Sequence, residues 1–259
     1  VNLHVDVHPG EGPPALLVHG FLAGRALWTA NLAALATVCT PVTVELWGHG
    51  RSGVPDSVGA YDPDAYVDAF DAIRQTLGAE RWFLLGHSLG AALTWRYALT
   101  HPDRVIAHAF TNTASALAGP RWREAVAASV GPDADRLESG GIDAVVGHRL
   151  NPARARRIVA PVREALAADQ ALLDVAGIAG TLRHTVPAAS VRERATANRV
   201  PTLLVHGVRE EGFADAAAHA GTLPHVEVAA VDVGHSPMAE APEVFDAAVV
   251  RFLGGLRLS

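Results

Sequence analysis

Short apolar runs punctuate this chain at intervals that neither a helical bundle nor an antiparallel sandwich would produce. They read "ALLVHG" (15–20), "PVTVELWG" (41–48), "RWFLLGHS" (81–88), "RVIAHAFTN" (104–112), "PTLLVHG" (201–207) and "HVEVAAVDVGH" (225–235). Each is too short for a core helix and apolar on successive residues, as a strand buried on both faces must be. Helical patterns lie between them. Tyr66, Phe70, Ile73 and Leu77 form one apolar stripe that Asp62-Pro63 opens and Gly78 closes, and Phe245, Val249 and Phe252 repeat the geometry behind Pro242. Strand and helix in alternation predict an α/β fold: a mostly parallel sheet covered by helices on both faces. The opening "VNLHVDVHPG" alternates like a further strand and has no initiating Met, which suggests a trimmed start.

Between residues 114 and 199 the strand-like runs stop. Ala, Arg, Glu and Leu dominate there, broken by "GPDAD", "ESGG" and "NP". We expect residues 1–113 and 200–259 to build one core, with 114–199 as a helical lid over the carboxyl ends of the strands, where parallel sheets bind ligands. At 259 residues and 49% hydrophobic content the chain can bury such a core. A net charge of −6 and a pI near 6.1 leave no basic footprint for nucleic acid. No run approaches the roughly 18 apolar residues of a membrane span. Cys39 is the only cysteine, so neither an internal disulfide nor a cysteine metal cluster is expected, and a reducing cytoplasm fits. The abundance of arginine without any lysine reads as coding bias.

The stretch "GHSLG" (86–90) sets Ser88 where a buried strand turns into an Ala- and Leu-rich helix. One residue at such a corner is forced into strained backbone. Glycine at 86 and 90 removes collisions with strand and helix, leaving Ser88 at the apex beside the positive end of the helix. A serine hydroxyl needs a base and an orienting carboxylate to act as a nucleophile. His235 is the candidate base among 13 histidines, because it follows the last strand in a glycine-loosened loop. His19, His87 and His206 adjoin glycines at strand ends and read as structural, and His49 reads as a turn residue. The acid should follow the strand before the histidine's strand. Glu210 stands there, with Glu211 and then Asp215 as alternates, while Asn112 at the neighbouring strand end carries no charge. Oxyanion donors would be the backbone N–H groups of Leu89 and Phe21, with Leu22 as the alternate. Phe21, Leu22, Leu89, Trp122 and Met238 are candidate pocket residues, whereas Trp28 and Trp47 fit pocket or core equally. No metal, nucleotide or flavin motif stands out, so no cofactor is expected, and the partner is a small molecule.

Taken in order, "HGFLAG", "LWGHGRS", "GHSLG", "PTLLVHGVREE" and "GHSPMAEAPEVF" resemble the α/β-hydrolase fold superfamily, from about residue 10 to the end. The resemblance is to the branch with a serine nucleophile. Branches with an aspartate nucleophile, such as epoxide hydrolases and haloalkane dehalogenases, do not fit Ser88. Glu210 departs from the aspartate usual at that position. "HGFLAG" and "LESGGIDAVVGHRL" are also similar to the menaquinone-pathway lyase subgroup, the SHCHC synthases. That subgroup generally carries an arginine four residues beyond the serine to hold a substrate carboxylate. Here that position is Ala92, with Arg121 or Arg123 in the insertion as possible substitutes. The resemblance implies a serine hydrolase acting on an ester or thioester of a small, largely apolar substrate through an acyl-enzyme. The alternatives are elimination by the same triad, carbon–carbon bond hydrolysis, or a non-catalytic ligand-binding protein on this scaffold.

Overall fold

The computed structural model describes residues 2–256. Among these residues seven strands form one sheet, with β1 (Val5–Val7), β2 (Pro14–Val18), β3 (Thr40–Val44), β4 (Trp82–Gly86), β5 (Val105–Thr111), β6 (Thr202–Gly207) and β7 (Val226–Val231) in the spatial order β1-β3-β2-β4-β5-β6-β7. β1 is antiparallel to β3, and every other pairing is parallel. The expected α/β sheet is therefore present.

Side chains alternate across the sheet as the strand period requires. Leu16, Val18, Trp82 and Leu84 pack on one face, against Tyr66 and Phe70 of α1 (Pro63–Thr76) and Trp95 of α2 (Leu89–Thr100). Leu17, Phe83 and Leu85 pack on the other, with Trp28 and with Phe245 and Val249 of a C-terminal helix, Pro242–Gly254. Trp28 and Trp47 are both core residues. The start of α1 is as the sequence predicts: Asp62 accepts the Asp64 N–H at 2.8 Å, and Pro63 occupies the first turn. Gly78, with φ of 65°, follows its end.

β7 departs from expectation. The pattern reads as a strand buried on both faces, yet β7 is the edge of the sheet and Val228 is 42% exposed. An outermost strand has a neighbour on one side only, and hydropathy alone does not distinguish that position.

Between β5 and β6 the chain is helical. It comprises α3 (Pro120–Gly147), bent where Gly141 leaves helical geometry, then α4 (Ala160–Ala168), then α5 (Val175–Gly180), which continues through a π-helical turn at Thr181–Thr185 into Val186–Ala188. Val130, Leu137, Val145, Ile178 and Leu182 give this segment a small core of its own. It is seated on the loop after β3. A Cβ at Gly48 would come within 2.5 Å of the Gly177 backbone, and Thr185 Oγ1 donates to the Tyr61 carbonyl at 2.7 Å. Among the described residues no single helix is long and apolar enough to cross a membrane.

Candidate active site

Ser88 has φ of 53° and ψ of −117°, a conformation that L-residues rarely adopt. With His87 it makes up the two-residue link between β4 and α2. The corner closes because its flanks are glycine: a Cβ at Gly86 would lie 2.5 Å from Ala91 Cα, and one at Gly90 would strike the carbonyls of Val18 and His19. A Cβ at Gly20 would come within 2.8 Å of Ser88 Cβ, so the loop after β2 passes directly over the serine. Ser88 Oγ has no hydrogen-bond partner among the described residues. It faces a cavity of about 510 Å³ whose walls include Ser88, His235, Glu210, Phe21, Leu89 and Trp122.

The carboxyl edge of the sheet brings Glu210 to His235. After β6 the chain stays paired with the end of β7 and the residues beyond it: Val208 N–H donates to Val231 O and Arg209 N–H to Val233 O, both at 2.9 Å. Glu210 then turns toward the ring of His235, and its Oε1 and Oε2 lie 2.9 and 3.0 Å from Nδ1. The extra methylene relative to aspartate is accommodated without losing this contact. The alternates Glu211 and Asp215 are exposed and do not border the cavity.

Asn112, set aside at the sequence level for want of charge, clamps the acid. Its Nδ2 donates to Glu210 Oε2 at 2.7 Å and to Gly207 O at 2.9 Å, while its Oδ1 accepts the Gly207 N–H. Burial raises the Glu210 carboxyl, but hydrogen bonds from His235 and Asn112, with the His235 charge, outweigh it and hold the group below the ordinary carboxylate value.

The loop carrying His235 is gripped from both sides. Glu240 accepts the Gly234 N–H at 2.8 Å and the Ser236 N–H at 3.0 Å, so the amides flanking the histidine share one carboxylate. Ser236 Oγ lies 3.2 Å from His87 Nε2, and the His87 ring meets the His235 ring edge to face at 4.9 Å. Burial drives His87 well below the ordinary imidazole value, and the neighbouring His235 pushes it the same way, so the ring is neutral. Sequence reading missed Asn112, Ser236 and Glu240. The "GHSPMAE" spacing was the available signal for Glu240, because a carboxylate five residues past the histidine can fold back on its loop.

Four expectations need correction. Leu22 and Met238 do not line the cavity. Leu22 turns into the core of the helical segment with Leu137 and Ile178, and Met238 is fully buried beneath the sheet beside Phe245. The Leu22 N–H is also no alternate oxyanion donor, since it already donates to His49 Nε2 at 3.0 Å. The N–H groups of Phe21 and Leu89 have no protein acceptor among the described residues. Arg121 and Arg123 stand away from the cavity, Arg123 pairing with Glu193 at 3.2 Å, while Arg149 borders it. Ala92 is fully buried in the core.

Comparison with known proteins accords with this architecture. A sequence model of the family described as alpha/beta hydrolase fold matches residues 13–137. The chain is similar to the human (Lyso)-N-acylphosphatidylethanolamine lipase, at 37% identity over 142 residues, covering 49% of this chain and 41% of that protein. It is 40% identical to a fluoroacetate dehalogenase from Burkholderia sp over 102 residues, covering 38% and 33% of the two chains. The chain thus matches less than half the length of these curated relatives. MenH from S. aureus superposes with a TM-score of 0.85 at 18% identity, covering 97% of this chain and 98% of the other. The enol-lactonase from Burkholderia xenovorans LB400 follows at 0.80 and 23%, covering 97% and 96%.

Proposed function

We propose that this chain is a serine hydrolase of the α/β-hydrolase superfamily, cleaving an ester or thioester of a small, largely apolar substrate on a fold it shares with MenH. The observation that carries this reading is the 2.9 Å contact of Glu210 with His235 Nδ1, on the same cavity wall as Ser88. Glu210 holds the proton on Nδ1 and leaves Nε2 free to accept one. In the first half-reaction His235 Nε2 takes the Ser88 proton as Oγ attacks the carbonyl carbon. The N–H groups of Phe21 and Leu89 stabilise the resulting oxyanion, and the protonated ring then protonates the departing alcohol or thiol. In the second half-reaction His235 draws a proton from water, which attacks the acyl-enzyme, and the ring then passes that proton to Ser88 Oγ as the acid departs. No step uses a cofactor.

We assign residues 114–199 the role of a lid between the core portions 1–113 and 200–259. Support comes from Trp122, Val126, Val130, Leu182 and Val186, which this segment contributes to the cavity wall. Their apolar character favours a hydrocarbon acyl or alcohol group. Relatives named as a lipase and as a 1-acylglycerol-3-phosphate O-acyltransferase accord with acyl chemistry. Elimination of the SHCHC-synthase type has less support, because the position four residues beyond the serine is the fully buried Ala92.

Labelling with a fluorophosphonate followed by peptide mass spectrometry tests the assignment. The adduct is expected on Ser88, and Ser88→Ala should lower turnover of p-nitrophenyl esters by about 10³-fold or more. Labelling elsewhere, or undiminished turnover in the variant, refutes it. Acyl-enzyme trapped in a single turnover separates hydrolysis from elimination.

A further inference from the structure

Two buried histidines outside the cavity wall lace together the loops that follow β2 and β3. His19, at the end of β2, accepts the Leu46 N–H on Nε2 at 3.1 Å. His49, in the loop after β3, returns the contact by accepting the Leu22 N–H on Nε2 at 3.0 Å. Each ring is fixed by its other nitrogen, Nδ1 of His19 against Gly20 O and Nδ1 of His49 against Trp47 O, both at 2.8 Å. Carbonyl oxygens only accept and backbone amides only donate. Both rings must therefore carry their single proton on Nδ1 and leave Nε2 bare. The rings stand 5.0 Å apart, and both are fully buried. Burial lowers His49 to about 3 and His19 to about 4, so both stay neutral.

What this lacing restrains is unusual. Residues Gly20 to Ala23 form a tight turn closed by Ala23 N–H to Gly20 O at 3.2 Å, and Leu22 occupies its third position with φ of 60°. A turn with positive φ at that position ordinarily takes glycine or asparagine. A leucine there needs support, and the His49 bond supplies it on the N–H beside the strained torsion. The preceding residue is Phe21, whose N–H has no partner among the described residues and whose ring meets the His49 ring edge-on at 6.1 Å. Without the His49 bond the 21–22 peptide is free to rotate and the turn to open, which releases the adjoining 20–21 peptide that carries the Phe21 N–H beside Ser88.

We infer that His49 is a positioning residue, holding the loop after β2 in the turn that aims the Phe21 N–H at the oxyanion formed on the Ser88 ester intermediate. The inference rests on the hydrolase reading above. Asparagine at 49 preserves a polar atom near the Nδ1 position and cannot reach Leu22, whereas glutamine places an acceptor near the Nε2 position. Merely filling the core would not distinguish the two.

The test measures kcat and KM for p-nitrophenyl butyrate, and the rate of Ser88 phosphonylation by a fluorophosphonate, in wild type, His49→Asn, His49→Phe and His49→Gln. His49→Asn and His49→Phe should lose ~10-fold or more in kcat, with KM within about threefold, since a misplaced donor weakens the transition state rather than substrate binding. Phosphonylation should slow in parallel, and His49→Gln should recover most of the loss. Wild-type kcat in His49→Asn, a change confined to KM, or no difference between the Asn and Gln variants overturns the inference. If the variants fail to fold, NMR of the wild-type protein decides. A nitrogen–nitrogen coupling across Leu22 N–H to His49 Nε2 should be present before and after phosphonylation, and its absence in either state counts against the proposal. A wild-type Ser88 that never labels removes the hydrolase reading and this inference together. Normal labelling at unchanged rates in the variants removes this inference alone.

Discussion

In the proposed mechanism the chemistry turns on Glu210, and two neighbours, Asn112 and Glu240, fix it and its partner. Glu210→Gln retains the shape but replaces the anion with an amide, which can present either N or O to Nδ1. A fall in kcat of about 10²–10⁴-fold is expected for esters, with little change in KM. Asn112→Ala removes the donor at 2.7 Å from Oε2 and both side-chain bonds to Gly207 at the end of β6. Steady-state kinetics should then show a loss of ~10-fold, smaller than for Glu210→Gln because the charge remains. Glu240→Ala leaves the Gly234 and Ser236 amides without their shared acceptor. It should cost about 1–3 kcal/mol of stability by chemical denaturation as well as activity. A variant with wild-type kinetics and stability would show that the grip on the His235 loop is dispensable.

Among the elements, the β4–α2 corner and the helical segment are held by opposite means. The corner is rigid because nothing larger than glycine fits. Gly90→Ala would drive a methyl into the carbonyls of Val18 and His19 and should lower stability by roughly 1–3 kcal/mol or more, read from the urea midpoint. The helical segment is seated through a few points, the Gly48–Gly177 contact and the Thr185 bond to Tyr61, and its apolar residues reach the cavity. Enlarging one of them, as in Val186→Phe, should reduce kcat/KM for p-nitrophenyl octanoate by ~10-fold relative to the acetate. Equal effects on both esters would place Val186 outside the acyl-binding region.

For the molecule as a whole, the informative titration belongs to a residue outside the cavity wall. Asp246 is buried where the C-terminal helix meets Asn31, and its carboxyl is raised to about 6, chiefly by burial and then by the Glu243 charge, against the hydrogen bond from Asn31. Asn31 Nδ2 also ties down Met238 O at 3.0 Å, and Asn31 Oδ1 is buried without a donor. A folded-state pKa above the unfolded one means that the folded chain binds the proton more tightly. The stability from this site is therefore complete below about pH 4 and is lost as the pH rises through about 6. Asp246→Asn supplies an amide that needs no proton, so it should be more stable than wild type at pH 7.5, by about 1 kcal/mol, with the advantage shrinking below pH 5. Thermal melts across that range would reveal a parallel offset instead if Asp246 were simply solvated.

The strand pattern, the glycines around Ser88 and the order of serine, acid and histidine were legible along the chain, because strand period, turn chemistry and connection order are local or sequential properties. Those suffice for the α/β class and for naming Ser88, Glu210 and His235 as candidates. Tertiary structure alone decided that β7 lies at the edge, that Leu22 and Met238 face cores rather than the cavity, and that Arg149 rather than Arg121 borders it. The same holds for Asn112, Glu240 and the reciprocal His19 and His49 contacts. Their partners are distant in sequence or lie across a folded loop, and a hydrogen-bonding side chain carries no mark of its partner until packing brings the two to hydrogen-bond distance.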